Sequence, residues 1–146
     1  MSELKKNISS SERLRTLFLI LAVGLVLCFW QLGSTGLVDE TPPLFAAAGR
    51  AMASTGDWLT PRVNGLPRFD KPPLVYWLMG LVYLIPFHQY FDPLGTLAAR
   101  FPSAIASLLM MLSLGDLLIS FPQPGTKNTT KLALLTVFSF ILSPLV

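Results

Sequence analysis

The chain has 146 residues, 52% of them hydrophobic and only 13% charged, with a mean hydropathy of +0.59. An ordinary soluble domain carries about 25% charged residues, so the composition is that of a membrane protein. The net charge of +3 is small and its cations are scattered over tail and loops, which excludes a nucleic-acid-binding stripe. The one cysteine, Cys28, excludes an intrachain disulfide and any thiol-based metal or redox motif.

Residues 1–15 form a polar tail carrying Lys5, Lys6, Arg13 and Arg15. From Thr16 to Val38 no side chain is charged, and Thr16 to Trp30 is nearly all apolar. A crossing needs about 20 apolar residues, so residues 16–38 are read as the first transmembrane helix. A cleaved signal peptide is the competing reading, but the apolar run is long and a charged Asp-Glu-Thr motif follows it directly. The basic tail faces the cytoplasm by the positive-inside rule, which puts residues 39–95 outside.

That outer loop is where charge collects. Asp39, Glu40, Asp57 and Asp70 lie in it, with Arg50, Arg62, Arg68 and Lys71. Within it, Thr41 to Thr55 is expected to be an amphipathic helix. Thr41 would be its N-cap, Pro42 and Pro43 its first turn, and Gly56 its stop. Asp39 and Glu40 would then precede a helix N-terminus, where the helix dipole favours carboxylates. Gly56, Pro61 and Asn64-Gly65 punctuate the stretch that follows as turns.

The apolar run 72–87 is only about 24 Å long as a helix, short of the roughly 30 Å hydrocarbon core. With Tyr76, Trp77 and Tyr83 on it, the run reads as a helix lying in the outer membrane interface. A re-entrant segment and a true crossing are the alternatives; a crossing would put Lys127 and Lys131 outside, against the charge rule. Residues 96–121 form the second expected span, 122–130 a cytoplasmic turn, and 131–146 the start of a third. The last run reaches Val146 with no polar stop.

Three ordered blocks carry a family resemblance: Asp39-Glu40-Thr41, then Thr55-Gly56-Asp57-Trp58-Leu59-Thr60-Pro61-Arg62-Val63-Asn64-Gly65, then Arg68-Phe69-Asp70-Lys71-Pro72-Pro73-Leu74-Val75-Tyr76-Trp77. In this order they resemble the first extracytoplasmic loop of the lipid-phosphate-sugar-dependent transferases of the C-type glycosyltransferase superfamily. That group includes the aminoarabinose (lipid A) transferases and the protein mannosyltransferases. The resemblance spans Arg13 to Val146 and is densest from Leu37 to Trp77. It implies an all-α polytopic membrane fold, of which this chain is the amino-terminal part, with juxtamembrane helices in the first outer loop. It also implies inverting transfer of a sugar from a polyprenyl-phosphate donor to a lipid or protein acceptor outside the cytoplasmic membrane. The chain alone, lacking the further helices of such enzymes, is expected to be inactive.

The same resemblance assigns roles. Asp39 matches the proposed catalytic base that takes the acceptor proton, and Glu40 supports it; the alternative is that both only cap the following helix. Lys71 matches the lysine that contacts the lipid phosphate, where a point charge is needed, against the alternative of a snorkelling lysine. Arg62 and Arg100 are further candidates for the donor phosphate. Arg62 can equally be a solvated loop charge and Arg100, followed by Pro102-Ser103, a lipid-headgroup contact. Asp70 stands where the aminoarabinose transferases carry a glutamate linked to a divalent metal. Its shorter side chain and the lack of a histidine partner weigh against metal there, and His88 is read as an interface residue. Trp58, Tyr76 and Trp77 could stack a sugar but are more simply belt aromatics. Asp116, near the cytoplasmic end of its helix, reads as a hydrated end residue, and the sequons at Asn7 and Asn128 fall on the cytoplasmic side. The competing functional readings are a degenerate or truncated product that cannot turn over, and a small protein that binds polyprenyl phosphate or a partner subunit.

Overall fold

The computed structural model describes residues 9–30, 32–34, 36, 37, 41–86, 95–121 and 128–141. Among these residues there are five helices: α1 (Ser10–Phe29), α2 (Thr41–Thr55), α3 (Leu74–Tyr83), α4 (Thr96–Ser120) and α5 (Thr129–Ile141). The five helices agree with the expected all-α chain, apart from one short ribbon. A two-residue ribbon, β1 (Arg62–Val63) against β2 (Leu66–Pro67), stands between α2 and α3. Its cause is local, since Asn64 and Gly65 take φ of 52° and 81°, the pair of positive values that a tight primed hairpin turn requires.

The chain divides into two compact units, residues 1–30 with 105–146, and residues 31–104. In the first unit α1 begins inside the polar tail and ends at Phe29, rather than running from 16 to 38. Ser9 explains the early start: its Oγ accepts from the amide of Glu12 at 3.2 Å, and a serine three residues before a glutamate is a capping-box pattern. The helix closes where Trp30 turns extended. Ile20, Met111 and Val137, all fully buried, join α1, α4 and α5.

Two glycines make that packing close. A β-carbon on Gly24 would meet Leu108 at 2.7 Å, and one on Gly115 would meet Ile20 at 2.5 Å. Contacts of 20 with 115 and 24 with 108 set α1 and α4 antiparallel. In the same register Arg13 Nε donates to Asp116 Oδ1 at 2.8 Å. Asp116 is therefore an ion-pair partner of α1 and not simply a hydrated end residue. Leu14, Phe18, Leu19, Val26, Leu109, Met110 and Leu117 stay exposed, so these helices carry apolar outer faces.

Among the described residues α4 is the one helix long and apolar enough to cross a membrane. The 20-residue α1 takes in Glu12, Arg13 and Arg15. Helix α3 is 10 residues, shorter than the expected 72–87 and about 15 Å long, so it does not cross a bilayer by itself.

In the second unit α3 lies on α2 with their backbones in near contact. A β-carbon on Gly49 would stand 2.9 Å from Met79 Cβ and 3.2 Å from both the Gly80 nitrogen and the Tyr76 oxygen. Around this crossing sit two small cores. One is Ala46, Met79, Tyr83, Ala98 and Ala99, with Leu37 against it. The other is Ala48, Met52 and Tyr76, capped by Trp58 and Val63. Helix α2 already includes Thr41, expected as the residue just before it, and stops at Gly56, whose φ is +75°.

Candidate functional site

The conspicuous motif Thr55-Gly56-Asp57-Trp58 turns out to be a folding device. The Gly56 amide closes α2 on the Met52 carbonyl at 2.9 Å. Asp57 Oδ1 accepts from the Leu59 and Thr60 amides at 3.2 and 3.0 Å, and these bonds hold its carboxyl below the usual carboxylate range, with the Thr60 amide contributing most. The Trp58 ring packs against Gly80, where an added β-carbon would meet it at 2.8 Å. Trp77 Nε1 donates to the Trp58 carbonyl at 2.7 Å, and Tyr76 stacks on Phe45 with ring centroids 5.3 Å apart. All three aromatics thus bind the loop to itself.

The structure separates the expected cations by what they touch. Arg62 faces Asp57 at 3.6 Å, a loose, solvent-screened surface pair. Arg68 grips Asp70 with both arms, Nε to Oδ1 at 2.8 Å and Nη2 to Oδ2 at 2.7 Å. This fork lowers the Asp70 pKa and occupies both carboxylate oxygens. No cluster of three metal-ligating side chains occurs among the described residues; the contact the structure gives Asp70 is the fork with Arg68. Lys71 is exposed, and no described residue hydrogen-bonds to its ammonium or forms an ion pair with it.

Arg100 stands elsewhere. Its Nη1 donates to the Leu32 carbonyl at 3.2 Å and its Nη2 to the Gly36 carbonyl at 3.0 Å. One turn earlier on the same face of α4, Thr96 Oγ1 donates to the Gly33 carbonyl at 3.0 Å. Sequence reasoning passed over Thr96, although a threonine four residues before a candidate site arginine shares its helix face.

Beside this contact opens a pocket of about 370 Å³, at the small end of the range for ligand sites. Phe45, Val75, Met79 and Ala99 form apolar wall, and Arg100 and Ser103 supply polar groups. Leu37 and Pro42 complete the lining. These two residues bracket Asp39 and Glu40 in the sequence; the acidic pair itself, like His88, lies outside the described residues. Lys71, Arg62 and Asp70 do not line the pocket. The structure therefore brings Arg100 beside Leu37 and Pro42, which bracket the acidic pair in the sequence, and leaves Lys71, Arg62 and Asp70 outside the pocket.

Comparison with known proteins finds partial matches. The chain is 34% identical over 90 residues to the undecaprenyl phosphate-α-4-amino-4-deoxy-L-arabinose arabinosyl transferase of Edwardsiella ictaluri, covering 60% of this chain and 15% of that protein. It is 32% identical over 101 residues to the enzyme of the same name from Pseudomonas savastanoi, covering 69% and 18%. The chain is distantly similar to the aminoarabinose transferases, glycosyltransferases of the C type. An uncharacterised protein of Aquifex aeolicus matches further along it, 30% over 129 residues, covering 88% of the chain and 24% of that protein. The chain thus spans a quarter or less of the length of these curated relatives. No family model and no solved structure matches it.

Proposed function

We propose that this chain forms the first outer loop and its flanking helices in an inverting glycosyltransferase that draws its sugar from a polyprenyl phosphate. The partial match to arabinosyl transferases whose name specifies such a donor carries the reading. The geometry is consistent with it: a mostly apolar pocket is lined by Arg100 and by Leu37 and Pro42, which bracket the acidic pair in the sequence. In this reading Asp39 takes the proton of the acceptor hydroxyl or amine, with Glu40 in support, and the acceptor oxygen or nitrogen displaces the carrier phosphate from the sugar carbon. Lys71 is the contact for the departing phosphate, and the paired Arg62 a weaker one. The sugar transferred is a pentose or hexose, and the acceptor a lipid or a protein. The loop faces the outside of the cytoplasmic membrane, with α1 and α4 spanning it and α3 lying in the interface.

Donor binding tests the assignment of Lys71. Lys71→Ala is expected to weaken affinity for undecaprenyl phosphate by one to two decades, the equivalent of a lost charge-assisted contact of roughly 1.5–3 kcal/mol. Arg68→Ala is expected to leave affinity within about twofold, because its guanidinium is committed to Asp70. Small and equal effects in a titration of both variants would make Lys71 an interfacial anchor only.

Topology has its own check. Asn64 sits at an exposed hairpin turn, so a cysteine there, in a background lacking Cys28, should react with an impermeant maleimide on intact cells. Labelling only after the membrane is opened would place the loop inside and remove the site from its substrates.

A further inference from the structure

The segment entering the acidic pair is fastened to α4 by side chains that donate to its backbone. Thr96 is 2% exposed and donates to the Gly33 carbonyl; four residues on, Arg100 donates to the carbonyls on either side of it, at Leu32 and Gly36. Gly33 lies so close to the helix that a β-carbon there would meet Leu97 Cβ at 3.3 Å. Leu37, one residue past the last of these carbonyls, packs into the core with Ala98 and Ala99 and lines the pocket. The helix face that presents Thr96 and Arg100 is itself fixed: Gly95, at a φ of +69°, offers its carbonyl to Tyr83 Oη at 2.7 Å.

From this geometry we infer that Thr96 and Arg100 are positioning residues that set the register of the chain leading into Asp39. Three carbonyl bonds over five residues determine where the segment leaves α4, and the first turn of α2 resumes at the pocket through Pro42. Side-chain donors suit this task because the buried Thr96 hydroxyl holds the Gly33 carbonyl and the forked guanidinium holds those of Leu32 and Gly36, so none of the three turns away without losing its bond. The arginine thereby acts on the reaction through the backbone it holds and not through the donor phosphate. This inference rests on the proposed role of Asp39.

The test uses the intact membrane-embedded protein and two readouts. Thr96→Val keeps the shape and deletes the donor. It is expected to speed amide exchange at residues 33–37 by about tenfold or more, and to lower kcat for transfer from undecaprenyl-phosphate pentose by a similar factor. The donor KM should stay within about twofold, and Thr96→Ser should restore kcat. Arg100→Gln should behave like Thr96→Val, whereas loss of a phosphate contact would raise the donor KM instead. Unchanged exchange at 33–37 in Thr96→Val overturns the clamp, whatever the activity. Faster exchange with unchanged kcat, or no rescue by serine, overturns its link to catalysis. Transfer that survives Asp39→Asn points to a different failure, that of the base assignment, which the exchange result leaves standing or falling by itself.

Discussion

Asp39→Asn is expected to abolish sugar transfer by a protein that carries this chain and is competent for turnover, while affinity for undecaprenyl phosphate stays near that of the wild type. General-base catalysis contributes typically 10²–10⁴-fold, and an amide of the same shape cannot accept the acceptor's proton. The substitution is chosen because the rival role for Asp39 is to cap α2. Asparagine and aspartate rank together as helix caps, so a mere cap would survive the change with activity and stability intact. Transfer assays read beside donor titrations separate the two. Full turnover in the variant would remove Asp39 from the chemistry, and lost donor binding would mean that its charge shapes the pocket instead.

The second large effect is expected at Gly49. A β-carbon there meets the Gly80 nitrogen and the Tyr76 oxygen at 3.2 Å as well as Met79 Cβ at 2.9 Å. Backbone atoms cannot step aside by changing rotamer, so Gly49→Val must push α3 off α2. Overpacking of this kind costs about 1–3 kcal/mol, and the small gain from replacing a helical glycine does not offset it. The consequence reaches the site, since Phe45 of α2 and Met79 of α3 line the same pocket. A lowered unfolding midpoint in detergent, followed by fluorescence of Trp58 and Trp77, is the expected reading. Gly36→Ala is the control, because a β-carbon there meets nothing within 4 Å. Equal midpoints for both variants would show that the α2–α3 crossing is looser than its geometry implies.

The fold around the site was partly legible in the chain. The Asn64-Gly65 turn, the Gly56 stop and the prolines opening α2 are local signals, and each acts through the φ values a residue can adopt. Two local signals were present but unread: the serine-to-glutamate spacing at Ser9 and Glu12 that starts α1 early, and the Thr96-to-Arg100 spacing on α4.

Composition, periodicity and motif order determine that this is a helical, strongly apolar chain with a charged stretch between apolar runs, distantly similar to the aminoarabinose transferases. They do so because hydrophobicity, turn chemistry and motif spacing are properties of neighbouring residues. Which acceptor each cation meets is decided only in three dimensions. Arg62, Arg68, Lys71 and Arg100 are alike in sequence, all positive and all near carboxylates or prolines. The tertiary structure pairs Arg62 with Asp57 and locks Arg68 to Asp70. It leaves Lys71 in solvent and turns Arg100 onto backbone carbonyls 64 and 68 positions away in the chain. A guanidinium's role depends on which acceptors lie within about 3 Å of it, and no local pattern encodes an acceptor that folding brings from so far along the chain.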